Sequence, residues 1–401
     1  MRPFRWLWIA TLSAQGASAV ASVAVPVIAI RTLEATPAAI TVMATSAACV
    51  GLVMALPVGT FAEFRRKRPL LVGADAVRFL GFASLTVGAV SGRLSMPWLI
   101  AVLCLNAVMQ MLFGSASLAH TKDLMPREQR ADALGKLQSA TWIALIVSPV
   151  LAGVLTAWAP DVVVLGCIAL GFLGSALSIS RIRQPESAPP RREAHQRRLA
   201  DVLEGVTFYV SNPTLRRLLL YWVLFAGAVA ALTPVTQVFF LRDLGFSAAQ
   251  YGLAMGIPSI AALGGALASA TVMRRLGTNQ VIVLGTFARV PFYFLYPVLP
   301  SGELGVALAV VAFSGVLFLS ALINTSLSTL RIELVPDHLL ARSSSTWLMA
   351  TAVAGPVAIP LVGAVMSIAS PRAALVCIAV IVVVAAFVLP LTLLRSQTES
   401  R

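Results

Sequence analysis

The sequence predicts an all-α polytopic membrane protein of twelve transmembrane helices, built as two six-helix bundles with pseudo-two-fold symmetry and with both termini cytoplasmic. Three observations predict it: the composition, the spacing of apolar runs and an internal repeat. Of 401 residues, 58% are hydrophobic and 11% charged, with a mean hydropathy of +0.88, whereas charge makes up about a quarter of an ordinary soluble domain. A spanning helix needs about 20 apolar residues, so twelve spans take roughly 240 positions and leave short connections plus one longer loop. No polar stretch is long enough for an extramembrane catalytic domain or an ATPase, so the energy source is expected to be a gradient or a partner.

The apolar runs place six spans near 6 to 30, 38 to 61, 69 to 91, 96 to 119, 133 to 158 and 161 to 180. Six more follow near 217 to 241, 248 to 273, 280 to 299, 303 to 326, 343 to 368 and 372 to 394. The basic start, MRPFRWLWIA, leads into an apolar run too long for a cleaved signal, so it reads as a retained first helix. The domains are therefore an N-terminal bundle over 1–180, a cytoplasmic linker over 181–213 and a C-terminal bundle over 214–401. The linker carries six arginines among Pro, Glu and Gln, and the DVLEGVTFYV stretch within it has the apolar spacing of a helix lying on a membrane surface.

A formal charge of +14 in a soluble protein would suggest nucleic acid; here it follows the inner-side bias of membrane proteins instead. With a cytoplasmic N-terminus, 24 of the 30 Lys and Arg fall on inner segments and 4 on outer loops, while Arg78 and Arg289 lie within spans. That ratio places both ends in the cytoplasm. Cys49, Cys104, Cys167 and Cys377 all sit in apolar runs without a CxxC partner, so neither a disulfide framework nor a metal site is expected. His120, His195 and His338 fall in loops. Arg outnumbers Lys 27 to 3, pointing to GC-rich coding and hence a multi-pass protein of a bacterial plasma membrane (inner membrane).

The halves echo each other. DLMPREQRADALGKLQ after span 4 is similar to ELVPDHLLARSSSTWL after span 10, with Pro126 and Pro336, Ala131 and Ala341, and Gly153 and Gly363 each 210 positions apart. A basic loop precedes spans 3 and 9, and each of these spans carries an arginine. Duplicated halves suit a secondary transporter with a midplane site. A membrane-embedded transferase or sensor lacks support: no Asp-rich diphosphate site, HExxH pair, nucleophile motif or signalling domain is present.

Asp75 and Arg78, three apart, share a face of span 3, where pairing lowers the cost of intramembrane charge. Two readings stand: a gate or protonation site, or a stable intrahelical ion pair near the headgroups. Arg289 has no acidic neighbour in sequence and either snorkels, bonds backbone carbonyls or meets anionic substrate. Pro149 with Gly153, and Gly355 with Pro356, mark spans 5 and 11 as bent and closely packed.

The stretch LPVGTFAEFRRKRPLLVGADAVR resembles the loop 2 to 3 motif of the major facilitator superfamily, GxLaDRxGRR, followed by the span-3 Asp and Arg of its macrolide-efflux-like (drug:proton antiporter) branch. SLAHTKDLMPREQRADALGKLQS is similar to that branch's span 4 to 5 segment, and SPVLAGVL occupies the place of the exporter motif GPxxGG. Glu63 stands where the motif has Asp, and Ser148 and Ala152 replace two glycines. The resemblance implies that Gly59, Glu63, Arg65 and Arg68 take part in gating; for the RRKR run, a plain positive-inside anchor is the other reading.

It also implies a substrate cavity lined by spans 1, 4, 7 and 10. Each carries polar residues: Gln15 with Ser18 and Ser22, Asn106 with Gln110, Thr233 with Gln237, Ser320 with Asn324. Such residues act as ligand contacts or as interhelical glue. Trp142 and Trp347 would add aromatic walls. With no acid in those four spans, the cavity suits a neutral or amphipathic guest. The expected function is a monomeric, proton-driven exporter of a drug-like or natural-product amphipathic molecule by alternating access. It needs no cofactor beyond the proton gradient and has the small-molecule substrate and the lipid bilayer as its partners. The alternative is an importer or facilitator of a small neutral metabolite. Cysteines introduced at the two chain ends should be labelled by an impermeant maleimide from the same membrane face; labelling from opposite faces contradicts the twelve-span count.

Overall fold

The computed structural model describes residues 2–126, 129–182, 184, 207–336 and 339–389. Twelve of its helices are long and apolar enough to cross a membrane: α1 (Arg2–Arg31), α2 (Pro37–Glu63), α3 (Lys67–Val90), α4 (Met96–Leu124), α5 (Arg130–Trp158), α6 (Asp161–Ser180), α7 (Pro213–Val238), α8 (Ala248–Leu276), α9 (Thr278–Leu295), α10 (Glu303–Leu334), α11 (Leu340–Ile368) and α12 (Pro371–Val388). All regular structure among the described residues is helical. The spans have the expected order. Their ends differ where charge was read as loop: α7 begins at Pro213, ahead of Arg216 and Arg217, and α10 runs on through Arg331. The linker helix expected within 181–213 lies mostly outside the described residues, although 207–211 is helical.

Local chemistry sets the helix starts. Thr36, Asn212 and Ser370 each accept a backbone N–H of the first turn, and each precedes a proline at the first helical position, where the missing N–H costs nothing. Gly277, at φ 86°, is the single residue between α8 and α9; a side chain there would be strained by about 1–2 kcal/mol.

Two compact units form. The first comprises Met1–Ala194 with Ser247–Gly256, and the second His195–Phe246 with Ile257–Arg401. Within the first, α1 packs on α5 and α6, α3 on α4 and α6, and α2 on α4. Within the second, α7 packs on α11 and α12, and α9 on α10 and α12. Each of the latter pairs is a first-unit pair advanced by six helices, so the repeat seen in sequence extends to packing. Large apolar side chains such as Leu80, Val87, Leu267, Leu361 and Phe387 lie on the outer faces, all more than 60% exposed, as a lipid-facing surface requires and a soluble monomer does not tolerate.

Between apolar helices in lipid, small residues supply the close approach. At Gly265 on α8, a Cβ would meet the Phe318 backbone carbonyl of α10, whereas a Cβ on adjacent Gly264 would come no nearer than 4.0 Å to the Phe318 ring. Gly265→Ala should therefore lower the melting temperature in detergent, at an overpacking cost of about 1–3 kcal/mol, and Gly264→Ala should leave it within error. Equal melting temperatures for the two variants would contradict the tight α8–α10 seam.

Candidate functional site

In the first unit, the predicted polar residues of α1 and α4 meet. Gln110 donates from Nε2 to Gln15 Oε1 at 2.8 Å, and Ser18 donates to Gln110 Oε1 at 3.0 Å. The two glutamines are half-buried, so the amides act as interhelical glue while keeping an exposed side. Asn106, one turn away on α4, keeps a buried Oδ1 with no partner. Ser22 is excluded from this group; it bonds its own helix at Ala19 O.

The pair on α3 is closed inside its unit. Asp75 and Arg78 are both fully buried, with Nη1 3.3 Å from Oδ1. Ser175 of α6 donates to the other carboxylate oxygen at 2.5 Å. The guanidinium lies between the rings of Phe172 at 5.2 Å and Phe113 at 5.6 Å. Its Nε and Nη2 have no partner, so Asp75 carries almost all the neutralisation. In lipid that matters, because an unpaired buried charge costs several kcal/mol.

Arg289 of α9 is 1% exposed, and its guanidinium meets side chains rather than the backbone carbonyls of one expected reading. Its Nη2 donates to the Tyr221 hydroxyl at 2.9 Å, Nη1 approaches Ser320 Oγ at 3.4 Å, and the guanidinium carbon stands 3.6 Å from the Phe225 ring centroid. Tyr221 and Thr286 share a further 2.9 Å bond. Arg289 follows Arg78 by 211 positions, and at the same offset Thr286 stands in the place of Asp75. The second unit therefore keeps the buried cation of the repeat and lacks its acid. A cation–π contact recovers about 0.5–2 kcal/mol, less than the cost of the uncompensated charge.

An aromatic cluster adjoins it. Trp222 of α7 stacks on Trp347 of α11 at 5.5 Å and touches Phe225 at 5.9 Å; Trp222 Nε1 donates to Thr351, and Arg331 lies 4.1 Å over Trp347. Of the predicted cavity residues here, Ser320 and Trp347 join the cluster. Gln237 is buried, while Thr233 and Asn324 are exposed. Trp142 is half-buried on α5, in the other unit. Sequence reading missed Tyr221, Trp222, Phe225 and Ser175. The first three lie at i, i+1 and i+4 within little more than one turn of α7, but in an apolar run that pattern looks like core.

Of the gating motif, Gly59 and Glu63 lie on α2, but their surroundings fall outside the described residues. Arg65 lies 4.6 Å over the Phe61 ring, and Arg68 donates to the Ser180 carbonyl at 2.5 Å, holding the start of α3 to the end of α6. Pro149 and Gly153 lie within α5, and Gly355 and Pro356 within α11. Gly153 packs backbone to backbone on Gly252 of the same unit: a Cβ on Gly153 would stand 2.8 Å from Gly252 Cα.

Removing the acid of the α3 pair should be costly. Asp75→Asn should destabilise by about 3–5 kcal/mol, read as a large fall in detergent melting temperature, and Asp75→Asn with Arg78→Gln should recover most of the loss. A single variant as stable as the wild type would contradict the pairing.

Comparison with known proteins bears on this arrangement. The family model described as Major Facilitator Superfamily matches residues 7–357. The chain is 24% identical over 333 residues to the enterobactin exporter EntS of Citrobacter koseri, covering 82% of this chain and 76% of that protein. Its fold is similar to the crystal structure of the nucleoside transporter NupG, with a TM-score of 0.78 at 16% identity over 97% of this chain and 98% of that one. It is also similar to an inward-facing bacterial homologue of the human lysosomal transporter Spinster, at 0.73 and 15% over 99% and 97%. The chain belongs to the Major Facilitator Superfamily and is a membrane transporter of small molecules, not an enzyme.

Proposed function

We propose that this transporter is a proton-driven exporter of an amphipathic drug-like or natural-product molecule, of the macrolide-efflux-like kind, acting as a monomer in a bacterial plasma membrane by alternating access. The observation that carries the coupling is Asp75: among the described residues it is the one buried carboxylate, and it is held by two groups that can release it, Arg78 on its own helix and Ser175 on α6. A proton arriving at Asp75 weakens its hold on both partners, so occupancy by a proton changes the packing of α3 on α6. That is the elementary step a coupled carrier needs.

Two observations support export. The backbone contact between Gly153 on α5 and Gly252 lies in the segment that occupies the place of the exporter motif, and the sequence relative is named an exporter. The amide face of Gln15 and Gln110, with its unpartnered Asn106 oxygen, offers neutral hydrogen-bonding groups to a bulky guest.

Expression in a bacterium lacking its own efflux pumps should raise the growth-inhibitory concentration of some members of a panel of toxic amphiphiles at least fourfold, and a protonophore should abolish the gain. The Asp75→Asn, Arg78→Gln double variant, which keeps the site uncharged and hydrogen-bonded, should fold and give no resistance. Heightened sensitivity would instead establish uptake, and full resistance in the double variant would remove Asp75 from coupling.

A further inference from the structure

Spans α1, α5 and α6 of the first unit meet at one end around a cavity of about 410 Å³. It lies between the last turn of α1 and the turn joining α5 to α6. Arg68 holds the opposite end of α6, at Ser180, so the cavity faces away from the basic run 65–68. Arg31 and Thr32 line one wall, Trp158 and Asp161 the other. Arg31 Nη1 donates to the Thr156 carbonyl at 3.3 Å, and Thr32 donates to Asp161 Oδ2 at 2.6 Å. Among the described residues Arg31 forms no salt bridge, its Nη2 and Nε donate to nothing, and Asp161 Oδ1 accepts nothing. One open cavity therefore presents a guanidinium edge and a carboxylate oxygen that do not neutralise each other.

A ligand that fills this cavity brings a charge of each sign: an oxyanion for the donor fork of Arg31 and an N–H-bearing cation for Asp161. A simple anion meets repulsion from Asp161, and a simple cation from Arg31. The surroundings select the zwitterion. Trp158 is 85% exposed at the end of α5, where an indole sits among lipid headgroups. Leu151, Val154 and Trp158, at i, i+3 and i+7, form one exposed face of α5, an apolar track leading from the cavity toward the middle of the span. Acyl chains can lie along it. We propose that the cavity binds the headgroup of an ethanolamine phospholipid, phosphate on Arg31 and ammonium on Asp161, with its chains along α5. A choline headgroup has no N–H for Asp161, and a glycerol headgroup has no cation. The second unit lacks the site. Thr36 and Ser247, just before α2 and α8, are 211 positions apart, and Pro160 and Ser370, just before α6 and α12, are 210 apart; at these offsets Arg31 meets Arg242, but Asp161 meets Pro371.

Native mass spectrometry of the purified full-length transporter tests this, with equimolar phosphatidylethanolamine, phosphatidylcholine and phosphatidylglycerol of identical acyl chains. The first lipid retained should be phosphatidylethanolamine, by about tenfold over either competitor, the worth of one charged hydrogen bond. Arg31→Gln and Asp161→Asn should each remove most of that preference, and Arg31→Lys, which keeps the charge, should remove less than Arg31→Gln. Arg93→Gln, an exposed arginine after α3 at the same end of the unit, should leave it unchanged. If Asp161→Asn does not elute as a folded protein, Arg31→Gln and the lipid series decide. Soluble glycerophosphoethanolamine, the headgroup without chains, should displace the lipid only in large excess. Displacement at equal concentration would make a soluble zwitterion the occupant and overturn the proposal. Equal retention of the three lipids, or a preference indifferent to both variants, would overturn it too. Either result leaves the proton-coupled export reading, which rests on Asp75, untouched.

Discussion

A charge placed at bilayer depth has no water to solvate it, so it must find a partner within the protein or be held there at a cost. That constraint organises this transporter more than any single motif does. In the first unit it is met: Asp75 faces Arg78, Ser175 completes the carboxylate, and Phe113 and Phe172 bracket the guanidinium. In the second unit the repeat-equivalent Arg289 has lost its acid to Thr286 and leans on the hydroxyl of Tyr221 and the ring of Phe225. The same inherited arginine thus sits in two electrostatic settings, one closed and one unfilled.

This divergence suggests a division of labour between the halves. The first unit keeps the buried acid paired with its arginine, together with a neutral amide face on α1 and α4. The second unit replaces small residues of α1 with Tyr221, Trp222 and Phe225 of α7, and aromatic surface with it. Conserved packing pairs, α1 on α5 and α7 on α11 among them, keep the framework common while the chemistry separates. A duplicated carrier can change one half without disturbing the Asp75–Arg78 pair in the other.

Much of the fold was legible because the bilayer imposes a length. About 20 apolar residues per span leaves little freedom, and all twelve runs are helices in the order expected. Ends were less legible. Arg216, Arg217 and Arg331 look like loop residues, yet a helix continues past the apolar core wherever its terminal side chains reach the surface, and the cap at Asn212 fixes the start of α7. Of the candidate site, the i,i+3 spacing showed that Asp75 and Arg78 meet, but not that Ser175, 100 residues on, completes them. Polar stripes showed Gln15 and Gln110 but not their mutual bond. The aromatic run was illegible because stacking between α7 and α11 is a tertiary fact, and a tryptophan in an apolar span has the same sequence appearance whether it packs a core or faces a guest.

The account stands on Arg289 being a buried cation without its acid. Thr286→Asp restores the carboxylate at the position its repeat counterpart occupies in α3, so its detergent melting temperature, read beside that of Thr286→Asn, measures the missing charge directly. The account predicts that Thr286→Asp melts several degrees above Thr286→Asn, because the new carboxylate meets a cation already in place. A Thr286→Asp variant that melts at or below Thr286→Asn would show that Arg289 is already compensated, and would contradict it.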